Sequence, residues 1–392
     1  MTLTEQSNTR LVRPESRPPV VLQAVPALNS GGVERGTVEI AGALKAAGWR
    51  SVVASSGGTM ENELARAGAE HMAMPLERKN PLAIFRNAGR LAKLIRRRNV
   101  ALVHARSRAP AWSALIAARH AKRPFVTTFH GAYRENGFKH WYNMVMAKGD
   151  MVIAISDFIA DHVRRHFRID ESRLVTIHRG VDTTIFDPTR VSAERMIQLA
   201  NAWRLEDGKS VVLLPARLSR IKGQAVLLKA LAALDPSDVT CVLLGAEGSG
   251  SAYRREVEGL IERHRLGASV RIVPPCRDMP AAYMLADVLV STSIHPEGFG
   301  RTIAEAQSMG RPVIASDHGG APEIVVEGKT GWLVRPGDVA NLTEALSQAL
   351  ALKGAERNLM AARARENVLE KFSLERMCGQ TLDVYRRLLG RD

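Results

Sequence analysis

The sequence predicts an α/β protein of two doubly wound domains facing one cleft, and three observations carry that prediction. At 392 residues the chain exceeds one ordinary hydrophobic core, which favours two domains of about 150–200 residues each. Strand-sized apolar runs alternate with helical stretches, the pattern of parallel βαβ units. The alternation breaks at residues 180–188, GVDTTIFDP, a turn-rich stretch, and then restarts. A hydrophobic content of 45% with 24% charged residues is that of a globular protein.

Residues 19–25 read as the first strand and 26–35, PALNSGGVER, as its loop. A helix over about 33–47 ends at Gly48, 51–55 is the next strand, and Gly57-Gly58 turns into a helix over 61–67. A third strand is expected at 72–75. Residues 82–97 form an amphipathic helix, with Leu82, Phe85, Leu91, Leu94 and Ile95 opposite Arg86, Arg90, Lys93, Arg96 and Arg97. Strands at 100–104, 125–129, 151–155 and 173–177 complete this half, with a basic loop at 105–110 and a small-residue helix at 111–120. The second half has strands at 211–215, 239–244, 270–273, 288–292 and 313–315, a helix at 227–234, and closing helices at about 341–352, 355–371 and 374–389. Residues 1–18 lack the apolar core and cleavage site of a secretory signal and read as a mobile tail. No apolar run is long enough to span a membrane. Cys241, Cys276 and Cys378 are far apart and form no CxxC, which predicts reduced thiols in a cytoplasmic setting and no zinc site.

Charge is unevenly placed. Residues 1–180 hold 28 Lys/Arg against 14 Asp/Glu, a balance of +14, leaving +1 for the rest of the +15 total. The first half therefore calls for an anionic partner: an acidic acceptor or an anionic membrane surface. Nucleic acid ranks last, since its motifs and interleaved aromatics are missing. The 82–98 helix suits an anionic membrane surface by its two faces, or equally a sheet-packed helix with a solvated polar side.

The chemistry concentrates at 296–325, PEGFGRTIAEAQSMGRPVIASDHGGAPEIV. A buried strand enters a glycine loop, and Thr302 with Glu305 then fits a capping box, Thr302 as N-cap and Glu305 reaching back. Such a loop aims unpaired backbone N–H groups at one point, a site for phosphate. Glu297 lies inside the loop with no helical partner, which favours a ligand role; Glu305 is explained either by capping or by a ligand. Arg217, Lys222 and Gly223, after the strand at 211–215, suit a diphosphate or a plain solvated loop, and Arg220 has only its charge to recommend it. Gly31-Gly32 allows close backbone approach to a ligand, or is a simple turn; it is no GxGxxG fingerprint, and no P-loop motif is present. His130 ends a strand before Gly131, as a sugar contact or a structural histidine. Arg106 and Arg108 follow another strand end, facing an anionic acceptor or solvent.

Together these residues resemble glycosyltransferase family 4, the retaining group with the GT-B fold of two Rossmann-like domains. The resemblance rests on Gly31-Gly32, His130, Arg217 with Lys222, the E-x7-E pair Glu297 and Glu305, Gly319-Gly320 with Glu323, and the 328–331 segment. It covers nearly the whole chain and is densest over 213–334. It implies an N-terminal acceptor domain at 19–185, a nucleotide-sugar donor domain at 186–372, and a final helix at 373–392 crossing back to the first domain. It implies that Glu297 holds donor-sugar hydroxyls beside the Phe299-Gly300 backbone, and that Arg217, Lys222 and the helix start at Arg301-Thr302 neutralise the diphosphate. Glu305 would accept from the ribose, Gly32 would let the first-domain loop approach, and His130 would reach the sugar across the cleft. Arg301 departs from the apolar residue many members carry. GFGRTIAEA and HARSRAPAW resemble bacterial lipopolysaccharide and exopolysaccharide enzymes.

The expected reaction moves a hexosyl unit from a UDP- or GDP-sugar to a glycan or glycolipid acceptor with retention. No DxD motif is present, so no metal or other cofactor is expected. The expected location is the cytoplasm, including the inner face of the cytoplasmic membrane. Three rival readings are a glycoside hydrolase using Glu297 and Glu305 as an acid/base pair, a sugar-nucleotide epimerase of the same fold, and a non-enzymatic binding module, against which intact Arg217, Lys222, Glu297 and Glu305 argue.

Overall fold

The computed structural model describes residues 18–29, 31–133, 137–234, 236–245 and 252–391. The tail expected over 1–18 lies, apart from Pro18, outside the described residues.

Seven strands form the first sheet: β1 (Val20–Ala24), β2 (Arg50–Ser55), β3 (Ala69–Ala73), β4 (Val100–Ala105), β5 (Phe125–Phe129), β6 (Met151–Ala154) and β7 (Leu174–Thr176). Their order is β3-β2-β1-β4-β5-β6-β7. The second sheet, β8 (Ser210–Pro215), β9 (Val239–Leu244), β10 (Val270–Val273), β11 (Val288–Ser291), β12 (Val313–Ser316) and β13 (Gly331–Val334), runs β10-β9-β8-β11-β12-β13. Pairing is parallel throughout the described strands. Every residue of β1, β5, β6, β9 and β12 is buried, as in strands covered by helices on both faces. That double burial is why these strands read as predominantly apolar runs. The strand order reverses between β1 and β4 and between β8 and β11, and loops at such switch points line ligand crevices.

Three of the differences from expectation have a plain physical cause. The third strand lies at 69–73 rather than 72–75: it is a partly buried edge strand, so its apolar run is a poor guide. β13 was hidden by its brevity and by the Gly328 turn, whose N–H bonds Gly331 O (2.9 Å). The helix expected from 111 starts at Arg108, because Pro110 is harmless in a first turn.

The amphipathic helix spans Pro81–Arg98, with Asn80 accepting from Ala83 N (2.8 Å) as its N-cap. Leu91, Leu94 and Ile95 are buried in the first-domain core, so its apolar face packs on the protein. Leu82 and Phe85 remain 61% and 67% exposed. The last helix, Leu374–Leu389, packs Met377, Leu382 and Tyr385 against Val21, Ile40, Leu44 and Leu102 of the first domain. The two chain crossings run side by side: Val181 N donates to Phe372 O and Leu374 N to Val181 O (both 2.8 Å). A Cβ on Gly180 would lie 2.6 Å from Leu374 Cα, so only glycine fits there.

Candidate active site

The second-domain side of the cleft is built where β8 and β11 end. Gly223 takes φ 70°, and a Cβ there would lie 2.0 Å from Thr292 O, so the Arg220–Lys222 turn seats directly on the end of β11. This brings Lys222 Nζ to 2.7 Å from Glu297 Oε1, and the Ser293 hydroxyl donates to the same oxygen. Gly319, at φ 65°, supports Glu297 from behind: a Cβ there would sit 2.4 Å from Glu297 O. Gly320 N donates to that carbonyl (2.9 Å). Lys222, Ser293, Glu297, Arg301 and Thr302 line a cavity of about 100 Å³.

The helix Arg301–Ser308 starts at this cavity. Gly300, φ 112°, is its N-cap, and Ile303 N and Ala304 N both donate to Gly300 O. The amides of Arg301 and Thr302 have no partner among the described residues, the open first-turn donors expected to attract an anion. Arg217 is exposed on the β8 loop and makes no ion pair with a described residue. Arg220 turns away to Glu256 (2.6 Å). Phe299 is buried against His178 and Phe372.

The capping box does not form. Gly300, not Thr302, precedes the helix, and Glu305 points sideways rather than back. Its Oε1 accepts from Arg301 Nε (2.6 Å) and its Oε2 from the Tyr283 hydroxyl (2.8 Å). Glu305 is 7% exposed with both oxygens taken, an arrangement that gives no general base for water and so opposes the hydrolase reading. Arg301 also meets Glu39 of the first domain (3.4 Å). Burial works against its charge, yet Glu305 and Glu39 hold its pKa above the ordinary arginine value. Arg301 is thus a cation bridging two carboxylates, one per domain.

On the first-domain side, Gly31 caps the helix Gly32–Ala46 in extended conformation. Gly32 O accepts from Arg179 Nη2 (2.5 Å). Arg179 and Arg106 press on Gly36, where a Cβ would lie 2.4 Å and 2.8 Å from their guanidiniums. Arg106 is only 4% exposed, sunk beneath the cleft beside Gln23, so it does not reach an acceptor or solvent. Burial lowers the Arg179 pKa to about 10, with Glu39 opposing, so it stays charged at neutral pH. Burial, reinforced by Arg106 and Arg179, pushes the His130 pKa well below 6.5, so its ring is neutral. His130 Nε2 is buried without a partner among the described residues. The two domains touch here, since a Cβ on Gly298 would lie 2.8 Å from His130 O. Arg108 lies outside this cluster, donating to Asn143 Oδ1 (3.0 Å) and lining a cavity of about 490 Å³ with Lys79, Lys139 and Tyr142.

Sequence reasoning gave no role to Glu323, which clamps the domains together. Its Oε2 accepts from Asp157 N (2.8 Å) and its Oε1 from Phe158 N (2.7 Å), at the start of the first-domain helix Asp157–His166. His178 Nε2 lies 2.8 Å from Oε2, and the Ser156 hydroxyl donates to Gly298 O (2.5 Å). Asp157, His178 and Glu323 are close enough to hold a metal ion, but Glu323 is already satisfied as a helix cap across the interface. Its only sequence signal was its place four residues after Gly319.

Comparison with known proteins follows the same division. Residues 30–185 match the model of Glycosyltransferase Family 4, and residues 197–367 that of Glycosyl transferases group 1. A crystal structure of a glycosyltransferase from Rickettsia africae ESF-5 is 36% identical, with a TM-score of 0.90 over 96% of this chain and 100% of that one. Anabaena Alr3699/HepE, solved with UDP and glucose, shares the fold at 24% identity and a TM-score of 0.81, over 93% of this chain and 98% of its own. The D-inositol 3-phosphate glycosyltransferase of Nocardioides sp. is 32% identical over 257 residues, 62% of this chain and 55% of that protein. The match thus spans little more than half of that relative's length. No helix among the described residues is long and apolar enough to cross a membrane.

Proposed function

We propose a function from the premise that this chain belongs to glycosyltransferase family 4 and has the GT-B fold: it transfers a hexosyl unit from a UDP- or GDP-sugar to a glycan or glycolipid acceptor, with retention. The observation that carries the proposal is the Lys222–Glu297 contact beside the open amides of Arg301 and Thr302. It offers a cation and two N–H donors to a diphosphate, and a carboxylate to sugar hydroxyls, within one small cavity. Arg217 closes over the diphosphate from its exposed loop. Glu305 keeps Tyr283 and exchanges Arg301 for a ribose hydroxyl. Neutral His130 bonds the donor sugar from the first domain, and Gly32 lets its loop come close.

As the sugar–phosphate bond breaks, negative charge grows on the leaving diphosphate, and Arg217, Lys222 and the helix amides stabilise it without a divalent ion. The departing phosphate oxygen takes the proton of the acceptor hydroxyl as that hydroxyl attacks the same face. Domain closure excludes water that would otherwise hydrolyse the donor. EDTA is expected to leave turnover unchanged; loss of activity restored by magnesium overturns this step.

The acceptor is anionic and belongs to bacterial lipopolysaccharide or exopolysaccharide synthesis, with the enzyme peripheral on the cytoplasmic membrane. The likeness of GFGRTIAEA and HARSRAPAW to such enzymes supports this reading, as do the cations around the Arg108 cavity. The test is Glu297→Ala assayed with nucleotide sugars and a panel of glycan acceptors. Transfer is expected to fall at least about a hundredfold, the scale of losing one transition-state contact, with melting temperature retained. Undiminished transfer, or donor consumption that needs no acceptor, defeats the proposal.

A further inference from the structure

Only part of the +14 balance of residues 1–180 lies at the cleft and the Arg108 cavity. All strands of the first sheet run parallel, so their starts share the edge opposite the cleft. Cations crowd that edge: Arg97 and Arg98 before β4, Lys122 and Arg123 before β5, Lys148 before β6, and Arg173 before β7. Helices ending there favour cations in their last turns, which explains scattered basic residues. It does not explain a concave site. A cavity of about 1290 Å³ opens on this edge. Leu115, Met144, Phe167 and Ile169 contribute its apolar wall, and Arg119, Lys148, Arg165, Arg168 and Arg173 its cations. Arg119 is paired with Asp150 (2.8 Å) and Arg164 with Asp161 (2.9 Å) and Glu171 (3.1 Å). Lys148 and Arg168 have no carboxylate within ion-pair distance among the described residues.

We propose that this basal cavity docks the phosphodiester headgroup of an anionic membrane phospholipid. The cations match the phosphate charge, and the apolar wall suits the glycerol and first methylenes, which a free phosphate would leave uncovered. The inference rests on the peripheral-membrane part of the proposed function and moves the contact away from the Pro81–Arg98 helix, whose Leu91, Leu94 and Ile95 are spent on the core.

The test is flotation of the full chain with phosphatidylcholine vesicles, with and without phosphatidylglycerol, at low and high salt. The triple variant Lys148→Glu/Arg165→Glu/Arg168→Glu changes exposed side chains at the cavity; Arg86→Glu/Arg90→Glu/Lys93→Glu makes the same charge change on the exposed face of the other helix. Melting temperature and its shift by UDP check that both variants keep their fold. The wild type is expected to float only with phosphatidylglycerol, the cavity variant to bind at least tenfold less, and the helix variant to keep most of its binding. A wild type that does not float defeats the membrane reading and the inference with it. Equal loss in both variants, or none in the cavity variant, overturns the cavity alone. Binding of inorganic phosphate at the cavity without vesicle binding overturns it in favour of a soluble anion.

Discussion

Removing the Glu323 carboxylate tests how the two halves of the enzyme are held together. In Glu323→Ala, Asp157 N and Phe158 N lose their acceptor and His178 loses its partner, contacts of 2.7–2.8 Å in the intact protein. Loss of a helix N-cap costs about 0.5–2 kcal/mol. The upper end applies here, because the acceptor is charged, serves two amides, and is mostly shielded from water. Because the cap is supplied by the other domain, about 2 kcal/mol is withdrawn from docking of the domains, roughly a thirty-fold change in that equilibrium. Transfer requires both faces of the cleft, so kcat should fall about ten- to thirty-fold while UDP still raises the melting temperature. Small-angle scattering should show a larger radius of gyration, and Glu323→Gln, which keeps one carbonyl acceptor, should recover part of both. Turnover within twofold of wild type and an unchanged radius of gyration would refute the reasoning.

Two further outcomes follow from the geometry. Gly319→Ala combines a strained φ of 65° with a Cβ 2.4 Å from Glu297 O, so it should destabilise the second domain by about 1–3 kcal/mol and displace Glu297; unfolding midpoints and transfer rates should fall together. His104 and His130 both have pKa values held well below 6.5 by burial, with Arg106 adding to it. The unfolded chain therefore takes up their protons at higher pH than the folded one. Their contribution to stability is fully present above about pH 6.5 and is lost as the pH falls below it, by up to about 1.4 kcal/mol per pH unit for each ring. Melting curves from pH 7.5 to 5 should show the decline, and His104→Asn, beside Thr128 and Tyr385, should flatten it.

Much of this protein was legible in its residues, for a definable reason. A parallel strand covered on both faces is mostly apolar, so β5 and β9 could be bounded to the residue. Once the strands are parallel, every loop after a strand lies on one edge. The residues alone therefore place Gly31-Gly32, His130, Arg217, Lys222 and Glu297 in loops after strands, on the edges where such loops gather. The contacts each side chain makes there come from packing between distant segments. Glu305 fits a local capping pattern, yet Tyr283, twenty-two residues away, and Arg301 take both of its oxygens. Arg106 follows a strand end like Arg108, yet one is buried beneath the cleft and the other lines a cavity. Glu323 caps a helix that begins 166 residues earlier in the chain. Local propensity sets backbone conformation over a few residues, whereas the partner of a polar side chain depends on which distant elements fold against it. Those partners separate a shared edge from a working site.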